Sequence, residues 1–265
     1  MRPLQPGTGQ SNGGVWITPE GLVAKRLLPG VTTARHHAYW ERQALVAESG
    51  IVASTPGLRS PRYVAVQRDA DGITVLSEYV EPAPVDAGRL ADGLRRFADA
   101  QLEEPAWGAR DVLRDRMATV EARGGWDVLW DHVSGTLLEH LRRLWVRRSA
   151  ALAELDTLPR VPTHGDAHPG NLNGWDGDNV LALDWEQFGL GPAGFDLGYL
   201  LIALPTAAHH ILPANPVVRR GAVLTAALTA ASRAAWALDQ PTPGDHLERL
   251  EQLGYVIEEA SSQAL

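Results

Sequence analysis

Apolar and polar residues change rhythm about a third of the way along the chain. Up to residue 80 the apolar runs are short. Residues 14–18 and 22–28 read as two strands, with Pro19-Glu20-Gly21 as the turn between them. Residues 62–67 and 73–80 read as two more, joined by Asp69-Ala70-Asp71-Gly72. Between the pairs, residues 33–49 follow helical spacing, with Gly50 as the stop. After Glu81-Pro82-Ala83-Pro84 the period becomes that of amphipathic helices, predicted over 86–101, 111–123, 130–155, 195–204, 216–238 and 243–259. A loop-rich stretch, 159–194, interrupts them. The predicted class is α+β: a small antiparallel β lobe with one helix over residues 1–80, and a larger, mostly helical lobe over residues 81–265, hinged near Pro82.

Composition narrows the function more than the fold. The formal net charge of −8 argues against a nucleic-acid partner, whose affinity rests on clustered basic residues. No apolar run approaches the ~18–20 residues a membrane span needs, and the first ten residues lack the apolar stretch of a signal peptide. The expectation is a cytoplasmic protein without a membrane partner. The absence of cysteine removes disulfides, thiolate metal sites and cysteine nucleophiles. Of 24 basic residues only Lys25 is lysine. In a chain that uses arginine for every other positive charge, a single lysine points to a place that needs a compact ammonium, not a planar fork.

The strongest chemical signal is Thr163-His164-Gly165-Asp166-Ala167-His168-Pro169-Gly170-Asn171-Leu172, followed by the apolar Val180-Leu181-Ala182-Leu183 that delivers Asp184. Phosphoryl transfer needs this set. One carboxylate positions the attacking hydroxyl and takes its proton, while an amide oxygen and a second carboxylate hold magnesium against the phosphates. A rival reading takes His164-x-Asp166-x-His168 as a zinc site, but no further ligands follow at suitable spacing.

The segment His164-Gly165-Asp166 through Asn171 resembles the catalytic loop of the aminoglycoside phosphotransferase family, which shares the protein-kinase-like fold. Asp184-Trp185-Glu186 looks like that family's counterpart of Asp-Phe-Gly. Gly191-Pro192-Ala193-Gly194-Phe195-Asp196-Leu197 matches the stretch after it. The resemblance is specific over residues 160–201 and looser elsewhere. It implies a bilobal kinase fold with Asp166 as catalytic base, and Asn171 and Asp184 as Mg2+ ligands. It also implies Lys25 on the third strand contacting the α/β-phosphates, with Glu41 mid-helix fixing that lysine and Glu48 as a fallback. A glycine loop with Gly9, Ser11, Asn12 and Gly13 would cover the phosphates of ATP or GTP, behind a first strand expected to be nearly absent. Glu78 to Val80 would form the hinge that pairs with the base. His164 would brace the loop, and Asp196 would cap its helix and tether the loop.

The resemblance leaves the acceptor open. An antibiotic, aminoglycoside-like or otherwise sugar- or nucleoside-bearing, is one expectation. It draws on the acidic residues Asp245, Glu248, Glu251, Glu258 and Glu259 as a wall for a polyamine, and on Trp126, Trp130, Trp145, Trp175 and Trp236 as stacking surfaces. A metabolite kinase acting on choline, a sugar or an amino alcohol is the second, and a catalytically silent pseudokinase the third.

Overall fold

Period-2 alternation in the first third becomes an antiparallel sheet in the computed structural model, which describes residues 2–4, 12–241 and 244–262. Five strands pair in the order β1-β2-β3-β6-β5: β1 Arg2–Pro3, β2 Asn12–Ile17, β3 Val23–Leu27, β5 Tyr63–Asp69 and β6 Gly72–Ser77. The first strand is present but only two residues long, pairing Arg2 with Ile17 and Pro3 with Trp16. Lys25 lies opposite Val15 on one side and Val75 on the other. Cross-strand partners share a face, so Lys25 and Leu27 point to the same side as Val75 and Ile73. That face holds a core of Leu27, Ile73, Val75 and Ala44, with Trp40, Ala47, Tyr63 and Val66 packed against it.

Ala44 belongs to α1, Arg42–Ser49, which ends on Gly50 in the left-handed conformation (φ 63°) as predicted. Its start was not predicted. The helix expected from residue 33 begins only at Arg42, because the carbonyls that earlier turns would need are taken elsewhere. The Arg42 guanidinium, fully buried, accepts the chain around itself by donating to the carbonyl oxygens of Ala34, His36 and His37.

Two smaller sheets carry the loop-rich stretch. β7 Arg160–Thr163 pairs with β10 Gly189–Pro192. The order β4-β9-β8 joins β4 Leu58–Arg59, β9 Asn179–Ala182 and β8 Leu172–Asp176. The β4–β9 ladder is parallel, Leu58 against Val180. With α2, Ala87–Ala98, capped by the Asp86 carboxylate on the Arg89 N–H, these elements complete one compact unit, residues 1–112 with 161–191. Strand pairing at Leu58, the Arg59–Asp176 ion pair (2.7 Å) and the Arg42 bond to the Glu186 carbonyl (2.6 Å) tie the loop-rich stretch to the N-terminal third.

The second unit, residues 113–160 and 192–265, is helical. It contains α3 Val112–Ala122, α4 Gly135–Val146, α5 Arg148–Thr157, α6 Phe195–Ala203, α7 Ala208–Ile211, α8 Pro216–Leu238, α9 His246–Gln252 and α10 Gly254–Ser261. The helix predicted over 130–155 is two, broken at Arg147, where the Arg148 guanidinium takes the Trp145 carbonyl. Likewise 243–259 divides at Leu253. α8 is long and apolar enough to cross a membrane by length and composition, contrary to the reading of the sequence, yet 78% of its apolar window is buried. It is the core helix of this unit. Gly198 of α6 lets it lie against α8, since a Cβ there would stand 2.6 Å from the Ala222 carbonyl.

Candidate active site

The sequence places Asn171 just before β8 and Asp184 just after β9, and the hairpin closes them on each other. Leu172 pairs with Ala182, and the Leu183 N–H donates to the Asn171 carbonyl at 2.7 Å. A separation of thirteen residues in sequence thus becomes adjacency in space. Asp166 joins them through the tight turn after β7. The Asn171 amide donates to the Asp166 carbonyl (3.0 Å) and to its carboxylate (3.3 Å). The turn depends on Gly165, which sits at φ +86°, and a Cβ there would stand 2.4 Å from the Gln187 carbonyl oxygen.

His164 braces this loop from within. Its Nε2–H donates to the Leu183 carbonyl (2.7 Å), and its Nδ1 accepts the Asp166 N–H (3.2 Å). The pair of bonds fixes one neutral tautomer. Burial lowers the imidazole pKa, so the ring stays uncharged at neutral pH. Both ring nitrogens serve the backbone, which leaves nothing for the zinc site that the His-x-Asp-x-His pattern suggested. His168 turns its Nδ1 to the Gly170 N–H and holds Nε2 at 3.7 Å from the Asp166 carboxylate.

Lys25 reaches this cluster from β3. Its ammonium lies 2.8 Å from Asp184 and 2.7 Å from Glu186, with both Lys25 and Glu186 side chains about one-seventh exposed (14% and 15%). Burial is the largest single influence on the lysine and lowers its pKa, but the two carboxylates together outweigh it and the net shift is upward. Asp184 is the one non-glycine residue at positive φ among the described residues (φ 59°, ψ 62°). Such a conformation at a site of converging charge is where backbone strain is usually retained.

Glu41 is not brought to Lys25. It stands at the N-cap of α1, not mid-helix, and its carboxylate holds Arg68 at 2.7 Å. Glu48, the fallback, also pairs with Arg68, at 3.1 Å. Glu186 holds the position beside the lysine instead. Its residue type was legible in Asp184-Trp185-Glu186, but no role had been assigned to it. Arg42 was missed as well, and an arginine-rich chain offers no signal that would single it out.

The donor set suits a hard cation. With the Asn171 NH2 turned to Asp166 and one Asp184 oxygen on Lys25, the Asn171 amide oxygen and the second Asp184 oxygen have no hydrogen-bond partner among the described residues. An amide oxygen and a carboxylate oxygen, both uncommitted, are the donor types that suit magnesium with several of its waters retained.

The remaining expected residues are more dispersed. Gly9 and Ser11 lie outside the described residues. Asn12 and Gly13 open β2, and Gly13 packs against Arg26 and Leu28. Glu78 is exposed and paired with Arg62 (2.9 Å), while Val80 is buried against Gly174. Asp196 lies buried in the first turn of α6. Of the supposed acidic wall, Glu259 is paired with Arg219 and Asp245 with Arg249. Trp126 is buried against Trp145, and Trp175 is covered by the Arg89 guanidinium.

An antiparallel sheet with one helix, a tight turn carrying Asp166 and Asn171, a hairpin ending in aspartate and a helical second unit define an α+β fold of the protein-kinase-like type. Solved structures share it. A choline/ethanolamine kinase family protein from Mesorhizobium loti matches with a TM-score of 0.62 at 19% identity, over 98% of this chain and 88% of that one. The GDP complex of wild-type aminoglycoside 2'-phosphotransferase-IIIa matches with a TM-score of 0.60 at 15% identity, over 96% and 92%. Aminoglycoside phosphotransferase APH(3'')-Id from Streptomyces rimosus ATCC10970 gives 0.51 at 19%, over 96% and 92%. Identities this low establish the fold alone, and no curated protein matches the chain by sequence. The model of the phosphotransferase enzyme family matches residues 4–252, nearly the whole chain, and the chain belongs to that family. It is a small-molecule kinase.

Proposed function

We propose that the chain transfers the terminal phosphoryl group of ATP or GTP to a hydroxyl of a small molecule in the cytoplasm. The observation that carries this reading is the Asp166–Asn171–Asp184 cluster with Lys25 directed into it. Asp166 orients the acceptor hydroxyl and takes its proton as that oxygen bonds to the γ-phosphorus. The bond from phosphorus to the bridging oxygen breaks, and the nucleoside diphosphate leaves. Asn171 and Asp184 would hold Mg2+, which supplies charge neutralisation at the phosphates. Lys25 binds the α/β-phosphates through its ammonium. Glu78 to Val80 offers main-chain groups to the base; the Val80 N–H has no hydrogen-bond partner among the described residues.

For the acceptor, an aminoglycoside-like or other sugar- or nucleoside-bearing antibiotic is the first reading, as in antibiotic resistance. The pairing of Glu259 and Asp245 with arginines favours a second, because carboxylates already neutralised attract a polyamine less. In it the acceptor is choline, a sugar or an amino alcohol. The test is incubation with Mg2+ and ATP or GTP against a panel of both kinds, reading diphosphate release and a mass gain of one phosphate on the acceptor. Asp166→Ala should lower kcat by roughly 10²–10⁴ and leave nucleotide Kd nearly unchanged. Near-normal kcat in that variant would remove Asp166 from the mechanism.

A further inference from the structure

We propose that Glu186, and not a glutamate of α1, is the residue that positions Lys25 for the nucleotide phosphates. The inference rests on the phosphotransferase reading and deepens it. Glu41 is engaged by Arg68 at 2.7 Å, and the same arginine holds Glu48, so the α1 glutamates form an ion-pair group of their own. Glu186 is 2.7 Å from the lysine.

The two carboxylates on Lys25 are not equivalent. The Asp184 side chain is one-third exposed (33%) and keeps an uncommitted oxygen, whereas Glu186 is nearly as buried as the lysine itself. When Asp184 turns to a cation, Glu186 stays as the lysine's partner. A pair shielded from water is the more direction-fixing of the two, since separating it would strand a charge in the interior.

Glu186 is also the better-held group. It sits in a 3-10 turn, Trp185–Gln187, whose Trp185 is fully buried and donates its indole N–H to the Ala182 carbonyl at 2.8 Å. The Glu186 carbonyl accepts the Arg42 guanidinium at 2.6 Å, and Arg42 is fixed in turn by the carbonyls of Trp107, Ala34, His36 and His37. α1 therefore still governs the lysine, but its first residue does so through the main chain of the turn, with no glutamate side chain of the helix on the ammonium. Glu186 is in this sense a positioning residue.

A double-mutant cycle on nucleotide affinity tests the assignment without knowing the acceptor. ATP and GTP binding would be measured by calorimetry, with and without Mg2+, for wild type, Glu186→Gln, Glu41→Gln, Lys25→Met and the two double variants. Glu186→Gln should weaken binding by about tenfold or more, and combining it with Lys25→Met should add little. Glu186→Asp, which keeps the charge on a shorter stem, should fall between, and it serves if Glu186→Gln fails to fold. Glu41→Gln should show no coupling to Lys25→Met. Additivity of Glu186 with Lys25, coupling of Glu41 with Lys25, or a Glu186→Gln effect seen only as a raised Mg2+ requirement would each overturn the assignment. A wild-type protein that binds neither nucleotide would sink the phosphotransferase reading itself, a different result from additivity in a protein that binds.

Discussion

At the scale of single residues the site is defined by how each polar atom is spent. Asp184 divides its carboxylate, one oxygen on Lys25 and one uncommitted, and it does so from a left-handed backbone that asparagine tolerates as well as aspartate. Asp184→Asn should therefore keep the fold, with unfolding free energy within about 1 kcal/mol of wild type. It should remove the charge that a cation needs and abolish Mg2+-dependent turnover. Thermal unfolding alongside diphosphate release would separate the two effects. A variant that kept turnover would exclude Asp184 as a ligand. His164 shows the opposite economy: both of its nitrogens are committed to the backbone, so its role is architectural although the sequence sets it beside Asp166.

At the scale of elements, what was legible in the sequence is what local periodicity and turn chemistry determine. The β2–β3 and β5–β6 hairpins follow from alternation and from Gly21 and Gly72, and the loop from β7 to Asp184 from its motif. What was not legible depends on distant partners. Residues 33–41 have helical spacing, yet their carbonyls are claimed by Arg42, and a side chain competing for backbone acceptors leaves no trace in hydrophobic pattern. The same limit hid the choice between Glu41 and Glu186, since both lie at plausible distances along the chain and only Arg68 decides between them. Arg42→Lys tests this account of α1. A lysine carries the charge but not the fork, and it cannot serve five carbonyls on different segments. The substitution should cost about 3 kcal/mol or more in denaturant unfolding, because buried carbonyls are left unpaired. A loss below about 1 kcal/mol would show that the carbonyl cage is not what shapes the segment before α1.

At the scale of the whole molecule, stability has an acid limb that begins at higher pH than the one expected of catalysis. His164 is fully buried and its pKa is lowered by desolvation; His246 is lowered for the same reason, with Arg233 adding to the effect. Below the ordinary imidazole value of 6.5 the unfolded chain binds protons at these rings that the folded chain refuses, so falling pH favours unfolding. Each such group contributes at most about 1.4 kcal/mol per pH unit. The carboxylates act lower. Glu154 is held down by its bonds to Arg220, and Asp69, held by Arg26, titrates at about 2, so their contributions are present at neutral pH and fade only as pH falls below their ordinary values of 4.5 and 3.8. Melting temperature should therefore be flat between about pH 7 and 9, decline gently below 6.5 and steepen below 4.5. At lower pH, once the folded ring takes its own proton, a proton on His164 Nδ1 would face the Asp166 N–H that it now accepts and push apart the loop carrying Asp166. kcat should therefore hold through the first decline in stability and fall only where the folded His164 ring itself titrates, which NMR should place below 6.5. A ring that titrates at or above 6.5, or a kcat that holds steady after the folded ring has taken its proton, would separate the brace from the chemistry.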